Sequence, residues 1–230
     1  MVDARPPRPV PRAGLESSTP EGYYEHARSD IFRLVRKHAP TSGSRILELG
    51  CATGLLGEML KTRGVASLVH GIEVAESPSV EARKRLDHVW VSDLSTFDWT
   101  ELDGPYDIVI AADVLEHLPD PWLTLRQLSG VLATEGKVIA SIPNVRYWKV
   151  MADLLFRGRF QYVDAGVLDR SHLRFFTRNS IRTLFGETGY SIEYLAPKPI
   201  SRRGWRSVLM SIAGDFAHVQ YHVVASPSAN

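Results

Sequence analysis

The chain has 230 residues, a hydrophobic fraction of 44% and a formal net charge of +1. This length suits one α/β domain with a small elaboration, and the balanced charge gives no general attraction to nucleic acid, so we expect no nucleic-acid partner. The single cysteine excludes an internal disulfide and a cysteine-rich metal site.

The start of the chain differs in composition from the rest. Residues 1–20 contain five prolines and three arginines, which predicts a disordered arm. We assign residues 21–230 to one domain, whose first segment, 23–38, reads as one or two helices. We see neither a signal-peptide core nor an apolar run long enough to span a membrane, and therefore expect a cytoplasmic protein without integral membrane contact.

Strands and helices alternate from residue 44 onward. Short apolar runs predict the strands, and helical periodicity predicts the segments between them. This alternation indicates a mostly parallel, doubly wound sheet. The predicted strands are 46–49, 67–74, 89–92, 106–111 and 137–142, and the predicted helices are 55–63, 79–86 and 121–132.

The alternation stops after Pro143. Residues 144–178 are rich in aromatic and charged side chains and form a predicted insertion with a helix at 147–156. A further helix is predicted at 179–188, with Asn179 as its N-cap. The last two strands are predicted at 191–195 and 219–225. Between them lies a second insertion, 200–216.

The stretch from Ile46 to Gly54 is the most informative motif. A buried strand, a glycine-rich turn and a helix form a nucleotide cradle, because glycines let a ligand approach the backbone and the helix start supplies free N–H groups. Glu48 before the turn would repel a pyrophosphate and favour a cationic ligand. The turn lacks the Gly-Lys-Ser/Thr of a phosphate loop and a full nicotinamide glycine pattern.

Acids follow the next predicted strands. Glu73 ends the second strand and is suited to accept hydrogen bonds from two ribose hydroxyls, although a solvated strand-end carboxylate is the alternative. Asp93 follows the third strand, where it is suited to an adenine amine beside Leu94, or simply to a turn or helix cap. Asp113 follows the fourth strand. These acids would line the crevice at the carboxyl edge of the sheet.

Together these motifs resemble those of class I S-adenosylmethionine-dependent methyltransferases. LELGCATG, GIEV, VSDL and YDIVIAADVLEHLPDP occur in the order of that family's motifs, and the resemblance runs from about residue 23 to 225. The segment IPNVRYW…GRFQYVDAGVLDRSHLRFFT resembles a bacterial small-molecule and glycan methyltransferase subgroup. The resemblance implies a Rossmann-like, seven-stranded, mostly parallel sheet with an antiparallel last strand and helical insertions that cover the substrate.

The resemblance also implies a cofactor, S-adenosylmethionine, with S-adenosylhomocysteine as product. One departure is Ala52, which stands where the family has a glycine; we expect binding to survive if φ is negative there. The implied cofactor residues are Glu48, Gly50, Ala52 and Gly54 at the methionine end, Glu73 at the ribose, Asp93 and Leu94 at the adenine, Asp113 at the sulfonium and amino group, and Tyr24 closing over the cofactor.

Methyl transfer is an in-line displacement that needs no metal or covalent intermediate. A hydroxyl acceptor benefits from a general base, and His172 and His117 are the candidates. The alternatives are capping or packing for His117 and, for His172, a structural bond to a carboxylate such as Asp169. Asp113, Glu116, His117 and Asp120 are metal-ligand residue types, but we expect no metal.

Acceptor contacts are predicted at Tyr147, Arg146, Asp169 and Arg174, with packing and ion pairs as the alternative. The Arg202–Arg206 segment is predicted to form a homodimer contact or a substrate lid rather than a membrane contact. The predicted function is methyl transfer to an oxygen, less favourably a nitrogen, of a small metabolite, natural product or sugar-containing acceptor. The alternatives are an NAD(P)-dependent reductase and a non-catalytic S-adenosylmethionine-binding partner subunit.

Overall fold

A computed structural model of the chain describes residues 28–40, 42–198 and 214–228. The predicted arm, Tyr24 and the Arg202–Arg206 segment lie outside these residues. The strands are β1 (Ser44–Leu49), β2 (Ala66–Glu73), β3 (His88–Val91), β4 (Tyr106–Ala112), β5 (Leu132–Pro143), β6 (Tyr190–Pro197) and β7 (Gln220–Pro227). The helices are α1 (Ser29–His38), α2 (Leu55–Thr62), α3 (Glu76–Ala82), α4 (Pro121–Ser129), α5 (Trp148–Arg157) and α6 (Arg178–Glu187).

All seven strands form one sheet in the order β3-β2-β1-β4-β5-β7-β6. Strands β1 to β5 pair in parallel, while β7 runs antiparallel to both of its neighbours, β5 and β6. The predicted doubly wound sheet with an antiparallel last strand is therefore confirmed. The strand order reverses between β1 and β4, which is where sheets of this kind open a crevice at their carboxyl edge.

Helices cover both faces of the sheet, and β1 shows how its sequence divides between them. Successive side chains of a strand point to opposite faces. Leu47 and Leu49 therefore pack in the apolar cluster that includes α4 and α6, whereas Ile46 packs with α1 and α2. Glu48 alternates with its two leucine neighbours and so points to the same face as Ile46, beneath α2.

Side-chain caps fix the starts of two helices. The predicted N-cap of α6 at Asn179 is wrong. Thr177 caps the helix instead, because its side chain accepts a hydrogen bond from the Ser180 N–H at 3.2 Å while the Ser180 hydroxyl accepts from the Thr177 N–H at 2.8 Å. Asp120 caps α4 by accepting from the Leu123 N–H at 2.9 Å. This contact gives Asp120 a structural role at the start of α4.

The first insertion, residues 144–178, is closed at its base next to the end of β5 and is joined there to the chain just before β7. The Val145 N–H donates to the Phe176 carbonyl at 2.9 Å. The buried Asn144 side chain donates to the carbonyls of Asp215 and His218 at 2.6 and 2.7 Å. Helix α5 in this insertion buries none of its side chains. No helix in the described parts of the chain combines the length and apolarity needed to cross a membrane.

Candidate active site

The glycine-rich turn after β1 is built from left-handed backbone conformations. Gly50 has φ +62° and Gly54 has φ +76°, and Ala52 between them has φ +49°. The negative φ that would accommodate the extra methyl group of Ala52 is therefore not found. A left-handed conformation costs an L-residue roughly 1–2 kcal/mol, so a contact must hold it in place. That contact is the hydrogen bond from the Ala52 N–H to Glu73 Oε2, at 2.9 Å.

Glu73 joins the end of β2 to this turn. Its Oε2 accepts from Ala52, and its Oε1 accepts from the Ala75 N–H at 3.0 Å. The side chain is buried, and burial raises the pKa of Glu73 although these backbone donors oppose the shift. A carboxylate oxygen can accept more than one hydrogen bond, so both oxygens retain capacity for further donors. The predicted ribose contact stays a prediction.

The side chain of Glu48 is more deeply buried than we expected for a residue that contacts the cofactor. It is buried beside Gly57 of α2, and its Oε2 has no hydrogen-bond partner among the described residues. Burial raises the pKa of Glu48 to about 8, and the nearby Glu73 adds to the shift. Glu48 is therefore mostly protonated at neutral pH. Its assignment to the methionine end of the cofactor stays a prediction.

Asp93 and Leu94 follow β3, at the same edge of the sheet. The Asp93 side chain accepts from the Ser95 N–H at 2.9 Å, and its carbonyl accepts from the Thr96 N–H at 2.9 Å. Asp93 therefore forms a local turn, as the alternative interpretation expected. Leu94 is half-buried against the core. The predicted adenine contact of these two residues is an additional role that stays a prediction.

Asp113 follows β4 with a left-handed backbone, at φ +58°. Its carboxylate accepts hydrogen bonds from the Ser141 hydroxyl at 3.0 Å, from the Gln220 amide and from Arg28. Arg28 also donates to Asp30 at 3.0 Å. Asp113 therefore lies at the expected strand end, but its negative charge is balanced by a guanidinium group that the sequence analysis missed.

The carboxylate of Asp30, at the start of α1, is contacted by three donor side chains. His222 Nε2 and Lys198 Nζ each lie 3.1 Å from its Oδ2, and Arg28 contacts both of its oxygens. Burial acts to raise the pKa of Asp30, but the hydrogen bonds from His222 and Arg28 outweigh burial and hold the pKa far below its usual range. Asp30 is therefore charged, and it anchors Arg28 at the crevice.

The two histidines predicted as base candidates lie together. The rings of His117 and His172 are 4.8 Å apart between centroids and meet edge to face. His117 Nδ1 lies 3.2 Å from the Ser171 carbonyl oxygen, and His172 Nδ1 lies 3.0 Å from that of Val167. Burial lowers the pKa of His117, and the neighbouring His172 lowers it further. His117 is therefore neutral at physiological pH.

Asp169 is not the partner of His172. Its Oδ1 accepts from the Ser171 N–H and hydroxyl at 2.9 and 2.5 Å, which makes it a turn-forming residue within the insertion. The alternative in which Asp169 holds the His172 ring is therefore wrong, because the Val167 carbonyl takes that place. The predicted contact of Asp169 with the acceptor remains open.

Three aromatic rings extend from the histidine pair. Phe175 lies 6.5 Å from His172, and Phe160 and Tyr162 lie 5.4 and 6.1 Å from Phe175 between ring centroids. Phe160 and Tyr162 are 39% and 47% exposed. We call Phe160, Tyr162 and Phe175 the aromatic cluster. Because it is only partly covered, it offers an apolar surface next to two imidazole groups.

The two arginines that were predicted to contact the acceptor contact other residues of the protein. Arg146 lies 3.5 Å from Asp215 and places its guanidinium 4.5 Å from the Phe216 ring. Arg174 Nε donates to the Pro119 carbonyl at 3.1 Å, at the start of α4. Tyr147 occupies the N-cap position of α5. These contacts fit the packing and ion-pair alternative, and acceptor binding by these three residues stays a prediction.

Comparison with known proteins decides the family. The sequence pattern of a methyltransferase domain matches residues 23–195. The chain belongs to this methyltransferase domain family. The resemblance to class I S-adenosylmethionine-dependent methyltransferases is thus confirmed, and S-adenosylmethionine is the methyl donor of that class. The predicted cofactor is therefore the family's cofactor, and the reductase alternative is not favoured.

The named relatives of the chain are also methyltransferases. The ubiquinone biosynthesis O-methyltransferase of Chromobacterium violaceum is 33% identical over 120 residues, which are 48% of this chain and 49% of that protein. The enzyme of the same name from Pseudomonas aeruginosa is 28% identical over 117 residues, which are 48% of this chain and 49% of that protein. The chain spans about half the length of the curated relatives it matches.

Solved structures share the fold at low sequence identity. Magnesium protoporphyrin IX methyltransferase from Synechocystis PCC 6803, with bound S-adenosylhomocysteine, matches with a TM-score of 0.61 at 19% identity, over 90% of this chain and 84% of that one. The CcbJ methyltransferase from Streptomyces caelestis matches with a TM-score of 0.61 at 16% identity, over 93% and 92% of the two chains. At these identities the likeness shows the fold alone.

Proposed function

We propose that this protein transfers the methyl group of S-adenosylmethionine to an oxygen atom of a small-molecule acceptor. Methyl transfer follows from the family, and the choice of oxygen is supported by the named O-methyltransferase relatives and by the neutral imidazole of His117. A nitrogen acceptor is the less favoured possibility. A small metabolite, natural product or sugar-containing molecule fits an acceptor surface formed by aromatic rings.

The observation that carries the proposal is the position of Glu73. Its carboxylate is fixed by the Ala52 and Ala75 N–H groups between the first turn and the end of β2. In this proposal Glu73 accepts the ribose hydroxyls, and Asp93 with Leu94 contacts the adenine. Acids at the ends of adjacent strands suit a ligand that carries a sulfonium and an ammonium group.

Arg28 supplies a positive charge next to these acids, which suits the negatively charged carboxylate of the cofactor. The methionine part of the cofactor carries a carboxylate as well as an ammonium group, and Arg28 is a half-buried cation held by Asp30 and Asp113. Arg28 would bind the carboxylate while Asp113 faces the ammonium group. This pairing places a cation and an anion at the two charges of one amino-acid end.

The acceptor would lie against the aromatic cluster, next to His117 and His172. In the reaction the bond between sulfur and the methyl carbon breaks as a bond forms between that carbon and the acceptor oxygen. The acceptor proton passes to a neighbouring base, and a neutral imidazole has a suitable pKa. Alignment of the two reactants and exclusion of water supply most of the rate.

The test combines cofactor binding with turnover. Calorimetry should detect S-adenosylhomocysteine binding, and thermal-shift assays should show stabilisation by that ligand but not by NAD. Radiolabelled S-adenosylmethionine should then label at least one member of a panel of phenols, catechols, sugars and amines, with oxygen products dominating. Stabilisation by NAD alone would support the reductase. Tight cofactor binding without labelling of any acceptor would support the non-catalytic partner subunit.

A further inference from the structure

Glu116 is a buried carboxylate for which the described part of the chain supplies no hydrogen-bond partner. It lies in the short turn after β4, is 0% exposed, and neither of its side-chain oxygens has a hydrogen-bond partner among the described residues. A buried polar group without a hydrogen bond costs roughly 1–3 kcal/mol in proteins, and a buried charge costs more. Such a group is retained where something that the protein itself does not supply completes its bonding.

The histidine pair has the arrangement that metal-binding imidazoles adopt. A carbonyl oxygen can only accept, so the contacts to Ser171 and Val167 require a proton on Nδ1 of both His117 and His172. This tautomer leaves Nε2 of each ring as the atom that can bind a cation. Metal-bound histidines almost always donate their other ring N–H to a carbonyl or carboxylate in this way.

From these contacts we infer that Glu116, His117 and His172 bind one divalent transition-metal cation, with Zn²⁺ as the best fit. One ligand atom from each of these residues lies within 4.8 Å of the other two. A tetrahedral site with bonds near 2.1 Å separates its ligands by about 3.4 Å, so binding requires only a small inward movement of these side chains. Two nitrogen ligands and one oxygen ligand favour Zn²⁺ or Co²⁺ over Mg²⁺, which prefers oxygen.

The backbone holds the two parts of the site together. The Glu116 carbonyl accepts from the N–H groups of Leu173 and Arg174 at 2.8 and 3.0 Å. These bonds join the turn that carries Glu116 and His117 to the insertion that carries His172. Asp169, buried nearby, adds negative charge that favours a dication. The sequence predicted no metal, because methyl transfer requires none, and the candidate ligands considered there did not include His172.

Three protein ligands leave the remaining position of a tetrahedral cation for water or an acceptor oxygen. Cation binding does not depend on the proposed function, but the use of that open position does. On a hydroxyl acceptor the cation would lower the pKa of the bound hydroxyl, so that its proton passes to solvent water, and the resulting oxygen anion would attack the methyl carbon as the bond between that carbon and sulfur breaks. The imidazoles would then serve as metal ligands, and the cation would replace a free imidazole as the group that activates the acceptor.

The test measures the cation directly, on the full chain without an affinity tag and after chelator treatment. Calorimetry with ZnCl₂ should give one bound cation per chain, CoCl₂ should produce the visible absorption of a low-coordinate Co²⁺ site, and MgCl₂ should bind far more weakly. H172A and E116Q should each weaken Zn²⁺ binding by at least the roughly 10- to 100-fold that loss of an outer-shell partner costs. H88Q removes an exposed histidine on β3 and should bind Zn²⁺ like the unmodified protein.

Two results would overturn the inference: absence of a stoichiometric Zn²⁺ site, or Zn²⁺ affinity that H172A and E116Q leave unchanged. E116Q keeps the side-chain shape, and circular dichroism with melting curves establishes that each variant is folded. S-adenosylhomocysteine affinity is measured on the same samples. Cofactor binding without a Zn²⁺ site contradicts only the metal inference, whereas a Zn²⁺ site without cofactor binding contradicts only the proposed function.

Discussion

The guanidinium group of Arg28 forms an ion pair with the carboxylate of Asp113, which lies 85 positions later in the chain. Asp113 is at the end of β4, where an acid suited to a cationic ligand was expected. Burial acts to lower the pKa of Arg28, but Asp113 and Asp30 outweigh burial and raise it, so Arg28 stays charged. The crevice therefore presents a matched cation and anion rather than negative charge alone.

Replacing Arg28 by alanine should weaken the binding of S-adenosylhomocysteine. The variant loses the cation proposed for the ligand carboxylate, and a hydrogen bond to a charged group contributes about 1.5–3 kcal/mol, which corresponds to a 10- to 150-fold rise in Kd. Calorimetry measures the change. Arg33→Ala, an exposed arginine of α1, is the matched control and should leave Kd unchanged. Equal or tighter binding by the Arg28 variant would show that Arg28 competes with the ligand for Asp113.

Replacing Glu73 by alanine should weaken cofactor binding by roughly 1.5–3 kcal/mol, because the proposed bonds to the ribose hydroxyls are lost. The melting temperature should fall as well, since Glu73 also holds the left-handed Ala52. Glu76→Ala removes an exposed carboxylate three residues later and serves as the control. An unchanged Kd in calorimetry, with a lower melting temperature, would restrict Glu73 to a structural role.

The burial of Glu48 predicts a pH dependence of stability. The pKa of Glu48 is raised from 4.5 to about 8 on folding, so the folded state binds the proton more tightly than the unfolded state. This contribution is fully present at pH values below 4.5 and is lost as the pH rises toward 8. Glu48→Gln, which cannot ionise, should therefore show a smaller fall in melting temperature between pH 5.5 and 8.5.

The control for Glu48→Gln is Glu135→Gln, at an exposed position of β5. It should follow the pH dependence of the unmodified protein. A Glu48 variant whose melting temperature falls as steeply as that of the unmodified chain would contradict the raised pKa of Glu48.

Replacing His172 by alanine should lower turnover about 100-fold or more, because the group that activates the acceptor hydroxyl is lost. The affinity for S-adenosylhomocysteine should be unchanged, since His172 lies in the insertion and contacts His117 and Phe175 rather than the glycine turn. The measurement is the rate at saturating acceptor, with an acceptor found in the labelling panel. A rate equal to that of His88→Gln would leave His172 as a packing residue.

Local patterns were sufficient to predict the sheet and its acids. Parallel strands buried on both faces leave continuous apolar runs, and the acids that follow them fall at one edge because all the strands point the same way. Glu73 and Asp113 were therefore placed correctly at strand ends. Asn179 is a favourable cap residue by type, but Thr177, two residues earlier, forms a reciprocal pair with Ser180 and begins the helix there.

The parts that sequence did not predict depend on long-range contacts. Asp30 contacts Lys198 and His222, and Arg28 contacts Asp113, across long stretches of sequence that no spacing rule joins. The φ of Ala52 follows from a hydrogen bond to another strand. A side-chain partner for His172 was sought nearby in the sequence, whereas the structure gives the ring a backbone carbonyl and His117 as neighbours.

The attachment of the first insertion has a consequence for how acceptor choice can change. Residues 144 and 176 form a β-bridge just beyond the end of β5, so the chain between them leaves and returns at almost one point. Substitutions, or changes of length, between these two points should therefore leave β1, β2 and the glycine turn in place. If this insertion binds the acceptor as proposed, donor and acceptor recognition are physically separable, and one methyl-donor scaffold could serve different acceptors by exchange of a single module.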